Sequence, residues 1–316
     1  MSEVKVTVLM PAWNAGKYIA EAIHSVLNQS FTDIELVIIN DGSTDNTVSV
    51  IKQFKDPRIR LLEQPQQGIA VALNYGLREA RGNYIARFDA DDICFPERIH
   101  KQYHLFLNNP EYILTGSDVE YISENGEHLF DFHCTAYTHE EIMSELYYSC
   151  PFIHSSVMFR KDVVIKAGGY SADAHIIEDH LLWRQLASSG RFCNIPEPLI
   201  RVRFNPQSAT IDEKWRGSRF RQLRKKIIAK GNITSAEGNE LQAIISKQNI
   251  QKIKKGSYYA LCGKKFLVNN HQPGKARRYL AKSIRNYPIR LESYALYMLS
   301  YLPKGIISWL HKKTRN

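Results

Sequence analysis

Several absences narrow the reading before any motif is considered. The 316 residues include only 12 prolines and 17 glycines, and 44% are hydrophobic, so disorder is not the default reading and about two packed domains are expected. Cysteine is scarce. Cys94, Cys134, Cys150, Cys193 and Cys262 are odd in number and never closer than 16 positions. They build neither a disulfide framework nor a CxxC metal knuckle, and reduced thiols in the cytoplasm are expected. The opening "MSEVKVTVLM" lacks the basic start and apolar core of a secretory signal. No GxGxxG follows a strand, no GxxxxGK[ST] occurs, and Ser155 and Ser156 lack the GxSxG elbow. Lys101 follows His100 where HExxH requires Glu, which argues against a zincin.

Acid is what the C-terminal third lacks. Residues 214–316 hold 24 Lys and Arg against three Asp and Glu, a net of +21, whereas residues 1–213 hold 18 against 29, a net of −11. An acidic body and a strongly basic end imply two modules, the second facing an anionic partner. We read residues 1–212 as one domain, in two parts at 1–120 and 121–212, and 213–316 as a basic helical region.

The body reads as alternating strands and helices. Apolar runs at Val4–Met10 (closed by Pro11), Ile34–Ile39, Ile59–Leu62 and Tyr84–Phe88 predict strands, and residues 113–121 predict another. Helical spacing runs through Tyr18, Ile19, Ala22, Ile23, Val26 and Leu27, and further helices are expected at Asp45–Phe54, after Gly68, at Arg98–Asn108, at His139–Tyr148 and from Glu178. This alternation implies an α/β fold with a mostly parallel sheet covered by helices on both faces. Ligands of such sheets bind beyond the carboxyl ends of the strands. Pro11–Asn14, Asn40–Asp45 and Asp89–Asp92 all fall there and are expected to converge.

Three clusters carry chemistry. Asp89, Asp91 and Asp92 in "RFDADD" suit a hard divalent cation held by one or two carboxylates and substrate phosphates; otherwise they form a solvated acidic turn. Strand alternation aims Arg87 away from them. Asp41 in "NDGSTDNT" suits the imide N–H of a uracil, and Ser43 or Asp45 suits helix capping. Glu178 and Asp179 open a helix after "AGGYSADAHII", as a general base or as complements of the helix dipole. Trp183 is assigned to packing, and His154 is a structural histidine unless, as the resemblance described below implies, it lines the acceptor side.

Together the stretches "VTVLMPAWNAGKYIAEAIHSVLNQSF", "IELVIINDGSTDNT", "QQGIAVALNYGLREARGNYIARFDADD" and "GGYSADAHIIEDHLLWRQLASSG" resemble the family-2 glycosyltransferases over about residues 4–205. The resemblance implies a GT-A fold and inverting transfer from a nucleotide sugar, assisted by Mn²⁺ or Mg²⁺. It places Pro11, Ala12 and Trp13 against uracil, with Trp13 standing where tyrosine or phenylalanine is usual. Asp41 would accept the imide hydrogen bond and Gly68 would approach the nucleotide. Asp89 would lie toward the ribose and diphosphate, and Asp91 would ligate the metal, with Asp92 as the alternative ligand. Asp179 would be the base. The implied partners are a UDP-sugar and a glycan or lipid-linked acceptor of surface polysaccharide or lipooligosaccharide synthesis.

The basic segments 214–231 and 247–268 carry apolar residues at near-helical spacing, and 293–313 adds Tyr, Leu and Trp but is broken by Pro303, Lys304 and Gly305. Short of the roughly 20 apolar residues of a membrane span, they suit the surface of an anionic membrane, which implies a peripheral location on its cytoplasmic face. A solvated basic helical surface is the plainer alternative. No nucleic-acid-binding signature accompanies the charge. A sugar nucleotidyltransferase is disfavoured because "PAWNAGKY" has one glycine and one lysine; an inactive scaffold is disfavoured by the complete set of acids.

Overall fold

The computed structural model describes residues 3–206, 217–247 and 251–307. In chain order the elements are β1 (Val6–Ala12), α1 (Ile19–Leu27), β2 (Ile34–Asp41), α2 (Thr47–Ile51), β3 (Ile59–Gln64), α3 (Ile69–Glu79), β4 (Tyr84–Arg87) and β5 (Ile93–Cys94). Then follow α4 (Arg98–Asn108), β6 (Tyr112–Ile122), β7 (His128–Phe132), α5 (His139–Glu145), β8 (Met158–Arg160), α6 (Lys161–Lys166), α7 (Glu178–Leu186) and β9 (Arg191–Arg203). The rest is helical: α8 (Ser218–Lys230), α9 (Ser235–Lys247), α10 (Gln251–Val268), α11 (Pro273–Asn286) and α12 (Leu291–Leu299).

One sheet runs in the order β3-β2-β1-β4-β8-β6-β9-β5, with β7 beside β6. The pairs β3–β2, β2–β1 and β1–β4 are parallel, whereas β8 is antiparallel to both β4 and β6. The expected α/β architecture is thus present, with its parallel half at the N-terminus. Alternate residues explain why. Leu9, Val37, Ile39 and Ile85 pack with Leu73 and Leu77 of α3 and with Trp183, while the intervening Val8, Met10, Leu36 and Ile38 are equally buried. Both faces are covered, as a parallel sheet requires. Gly76 lets α3 lie close on it, because a Cβ there would meet Leu9 Cδ1 at 2.2 Å.

Two local expectations are corrected. Pro11 lies inside β1 rather than closing it: pairing with β4 stops at Leu9, and Pro11 is beside β2 only. A strand tolerates proline where one neighbour is missing. The helix expected at Asp45–Phe54 is only Thr47–Ile51.

Contacts divide the chain into two compact units. The first holds the residues up to Val119, Phe132–Val202 and Arg219–Gln242; the second holds Glu120–Asp131, the described residues from Arg203 to Ser218 and those from Ala243 on. The boundary expected at 212–213 lies outside the described residues, and α8 and most of α9 belong with the sheet. The core of the second unit is built by Tyr258, Phe266, Leu267, Tyr279, Leu280 and Leu296. Its Tyr258 hydroxyl accepts from the Glu124 N–H at 3.0 Å.

Candidate active site

The loops after β1 and β2 are tied to each other. Asn14, at φ +48°, accepts at Oδ1 from the Thr44 N–H (2.8 Å), and its own N–H donates to Ser43 Oγ at 3.0 Å. Asp45 receives the N–H groups of Thr47 (2.9 Å) and Gly16 (3.0 Å). Asp45 therefore caps the first turn of α2, and Ser43 serves the neighbouring loop instead. Burial would raise the Asp45 pKa, but the hydrogen bonds from Thr47 and Gly16 outweigh it and hold the carboxyl below its ordinary range. This scaffold leaves the Trp13 indole half exposed, beside buried Ala12.

Asp41 ends β2, buried and engaged. Its Oδ1 accepts from Gln64 Nε2 (2.7 Å) and the Gln67 N–H (2.8 Å), and its Oδ2 from the Gly68 N–H at 2.9 Å. The carboxylate fixes the loop that enters α3. Gly68 there has φ +92°, which glycine adopts without strain, with open space where a Cβ would stand.

The acids after β4 surround a cation that alternation had aimed elsewhere. Arg87 is 2% exposed, and its Nη1 donates to Asp89 Oδ2. The expectation that Arg87 takes no part in neutralising the cluster is corrected: β4 ends there, and its long side chain reaches the carboxylate two residues on. Burial opposes its charge, but Asp89, Tyr170 and Asp92 raise its pKa on balance. Asp89 stays about one-third exposed, Asp91 is half-buried, and Asp92 is buried. Sequence reasoning missed Arg98 entirely. It is 0% exposed, and its Nη2 donates to the carbonyls of Arg87 (2.7 Å) and Val157 (3.2 Å), holding the end of β4 against the start of β8. Its Nε donates to Gln102 Oε1 at 3.1 Å. The only signal was a charged residue on the inner side of an amphipathic helix.

Glu178 and Asp179 open α7 just after Ile176, whose φ of +60° is strained for a β-branched residue. Glu178 is 7% exposed, and its Oε2 has no hydrogen-bond partner among the described residues. Burial, then the charge of Asp179, pushes its pKa up to about 7. Burial also raises Asp179, against the His180 N–H (2.6 Å to Oδ1) and the fields of Arg87 and Arg224. Cys150 Sγ lies 3.9 Å from Asp179 Oδ2. Behind it, His180 bonds the Leu146 carbonyl through Nε2 (2.7 Å), and its Nδ1 faces Arg224 Nη2 at 3.1 Å. Burial lowers the His180 pKa to about 4, so the ring is neutral and Arg224 donates to it.

His154 Nε2 meets the Tyr170 hydroxyl at 3.0 Å, and burial followed by Arg87 holds His154 well below its ordinary pKa. Asn74 of α3 holds the Tyr170 backbone through Tyr170 O (2.7 Å) and N (2.9 Å). Trp183 is fully buried against Phe152, Phe159, Tyr170 and His154, in agreement with a packing role. Arg87 thus acts electrostatically on Asp89, His154, Tyr170, Glu178 and Asp179 at once, and two acidic clusters about 90 positions apart in sequence share one buried guanidinium.

A family model described as "Glycosyl transferase family 2" matches residues 7–168, just over half of the chain. The chain belongs to glycosyltransferase family 2. The match covers β1 through the acids after β4 and ends before Glu178. The O-antigen biosynthesis glycosyltransferase WbnJ of Escherichia coli is 31% identical over 211 residues, covering 64% of this chain and 81% of WbnJ. The amylovoran biosynthesis glycosyltransferase AmsE of Erwinia amylovora is 31% identical over 215 residues, covering 66% and 80%. Among solved structures, S. aureus TarS 1-349 in complex with UDP aligns with a TM-score of 0.55 at 16% identity, covering 92% of this chain and 91% of TarS. The mannosyltransferase PcManGT of Pyrobaculum calidifontis, in complex with GDP-Man and Mn²⁺, aligns with a TM-score of 0.53 at 17% identity, covering 98% and 88%. These two likenesses establish the GT-A fold of this family-2 chain.

The donor set fits a hard divalent ion. Among the described residues no cluster of three or more His, Cys, Asp and Glu is placed to hold a metal. The carboxylates after β4 supply hard oxygen donors, one Asp89 oxygen being engaged by Arg87, and a cation there would take its remaining positions from water and phosphate. Mg²⁺ and Mn²⁺ favour such sites.

Proposed function

We propose that this family-2 glycosyltransferase moves a sugar from a UDP-sugar to a hydroxyl of a glycan or lipid-linked acceptor, with inversion, in the synthesis of a cell-surface polysaccharide. The observation that carries the reading is the acidic turn at the carboxyl end of β4, where buried Arg87 pairs with Asp89 and also acts electrostatically on Glu178 and Asp179. The names of WbnJ and AmsE support the polysaccharide setting, and the UDP complex of TarS supports the nucleotide.

In this reading Trp13, with Pro11 and Ala12, lies along the uracil. Asp41 accepts the imide N–H with a lone pair beyond the three bonds it already makes, since a carboxylate has about four. Gly68, held by Asp41, gives the nucleotide close access. Asp91 and Asp89 hold Mn²⁺ or Mg²⁺, which supplies charge neutralisation for the departing diphosphate. Asp179 takes the proton of the acceptor hydroxyl as that oxygen attacks the anomeric carbon opposite the leaving UDP. A single displacement inverts the configuration. Partial burial makes Asp179 a stronger base than a solvated aspartate. The first unit, including residues 219–242, carries the catalysis, and the basic second unit from 243 on associates with the cytoplasmic face of an anionic membrane.

The test is a panel of UDP- and GDP-sugars scored for Mn²⁺-dependent binding and hydrolysis. The parent is expected to select a UDP-sugar, and Asp91→Asn to lose the response to Mn²⁺. Selection of a GDP-sugar overturns the donor assignment, and an unchanged Mn²⁺ response in Asp91→Asn moves the metal ligand elsewhere.

A further inference from the structure

In the second unit, α12 packs through one narrow face. Ser293 Oγ lies 2.8 Å from Ser283 Oγ of α11, Arg277 Nη1 donates to the Ser300 carbonyl at 2.8 Å, and Ser293, Leu296 and Ser300 are buried. An outward helix face is ordinarily polar. Here it is apolar: Leu291 is 80% exposed, Met298 69% and Tyr294 42%, at helical spacing. The stripe continues past the helix through Tyr301 and Leu302 to Ile306, and Ile289 precedes it, 75% exposed. Glu292 is the sole acid from 273 to 307, and it is paired with Lys264 (3.1 Å) and Arg290 (2.7 Å). On the adjoining α11 the exposed residues include Arg278, Lys282 and Arg285, at the same spacing.

We propose that the outward face of α12 enters the headgroup–acyl boundary of an anionic phospholipid bilayer, with Arg278, Lys282 and Arg285 of α11 on the lipid phosphates. The proposal rests on the membrane association set out above and makes the apolar stripe its anchor. Charge decides the occupant. A second copy of this chain would bring the same unbalanced arginines and lysines against themselves, whereas an anionic surface complements them. Tyrosine beside leucine and methionine also matches the interface, where a ring with one polar end is favoured. No described helix is long and apolar enough to cross the bilayer, so the contact is lateral.

The experiment is co-flotation of the full chain with phosphatidylcholine vesicles, with and without phosphatidylglycerol. The parent is compared with the triple variant Leu291→Ser, Met298→Ser, Leu302→Ser, whose changes are all on the surface. We expect binding that requires phosphatidylglycerol and falls about tenfold or more in the variant, as removal of three inserted side chains implies. Circular dichroism of the variant is expected to match the parent. If the parent binds and the variant binds equally, the α12 assignment is overturned while membrane association stands. If the parent ignores anionic vesicles, both are overturned. A lipid-free dimer that the triple variant abolishes assigns the face to a second copy, and also overturns the proposal.

Discussion

A buried guanidinium is tolerated only while carboxylates around it stay charged, and a buried carboxylate with no donor resists ionising at all. Arg87 presents the first case, and Glu178, with one unpartnered buried oxygen, approaches the second. Arg87 has Asp89 as its partner; Glu178 has an unbonded buried oxygen and Asp179 beside it. The folded-state pKa of Glu178, about 7, exceeds the ordinary value of 4.5. The native chain therefore binds this proton more tightly than the unfolded chain, and stability falls as pH rises from about 4.5 to about 7. Above that range the ionised group is a net cost. Glu178→Gln is accordingly expected to stabilise the protein at pH 8, on the order of 1–3 kcal/mol, and to give no gain near pH 4. Denaturant titrations at the two pH values check this, and equal effects at both contradict it. Asp41 shows how far single residues were legible. Its strand-end position was plain in the sequence, but its three bonds to Gln64, Gln67 and Gly68 depend on the approach of another loop, which local sequence does not encode.

Among the elements, those of the parallel half could be read because each strand is rich in apolar and β-branched residues and the longer helices have one apolar face. Strands β5, β7 and β9 could not. β5 has two residues, and β9 contains Pro196 and Pro198, which cannot donate to a ladder; the segment around them is partly exposed, and its pairing with β5 lies further on, at Ile200 and Arg201. The helix α4 was placed correctly, yet its most consequential residue was not seen. Arg98 supplies donors to two buried carbonyls that join β4 and β8 just before the acidic turn. Arg98→Met keeps the volume and removes those donors. The Val157 carbonyl keeps the Arg87 N–H at 3.0 Å, so it is the Arg87 carbonyl that loses its donor, at a cost of about 1–3 kcal/mol, partly offset because no charge is then buried. We expect a net loss of about 2 kcal/mol together with weaker Mn²⁺-dependent donor binding. A parent-like unfolding midpoint would show that β4 and β8 hold together without this clamp.

At the scale of the whole molecule, composition foretold an acidic body and a basic end, and the fold divides the basic end between its two units. Residues 219–242 join the sheet, where Arg224 reaches His180 behind the candidate base, and α10–α12 form the core of the second unit. The charge count alone did not reveal this, because it says how many cations a region holds and not which acids they face. Residues 214–216, 248–250 and 308–313 of the basic segments lie outside the described residues. Membership of family 2 rests on the chain from β1 through the acids after β4 and beyond, and the proposal for Asp179 rests on its place at the start of α7, where burial raises its pKa against the field of Arg87. The most direct measurement is therefore turnover of the preferred UDP-sugar by Asp179→Asn, alongside UDP binding by the same variant. The account predicts a loss of about 10²-fold or more, the range of a positioned general base, with UDP affinity close to the parent. Turnover within about tenfold of the parent, at unchanged UDP affinity, would remove Asp179 from the chemistry.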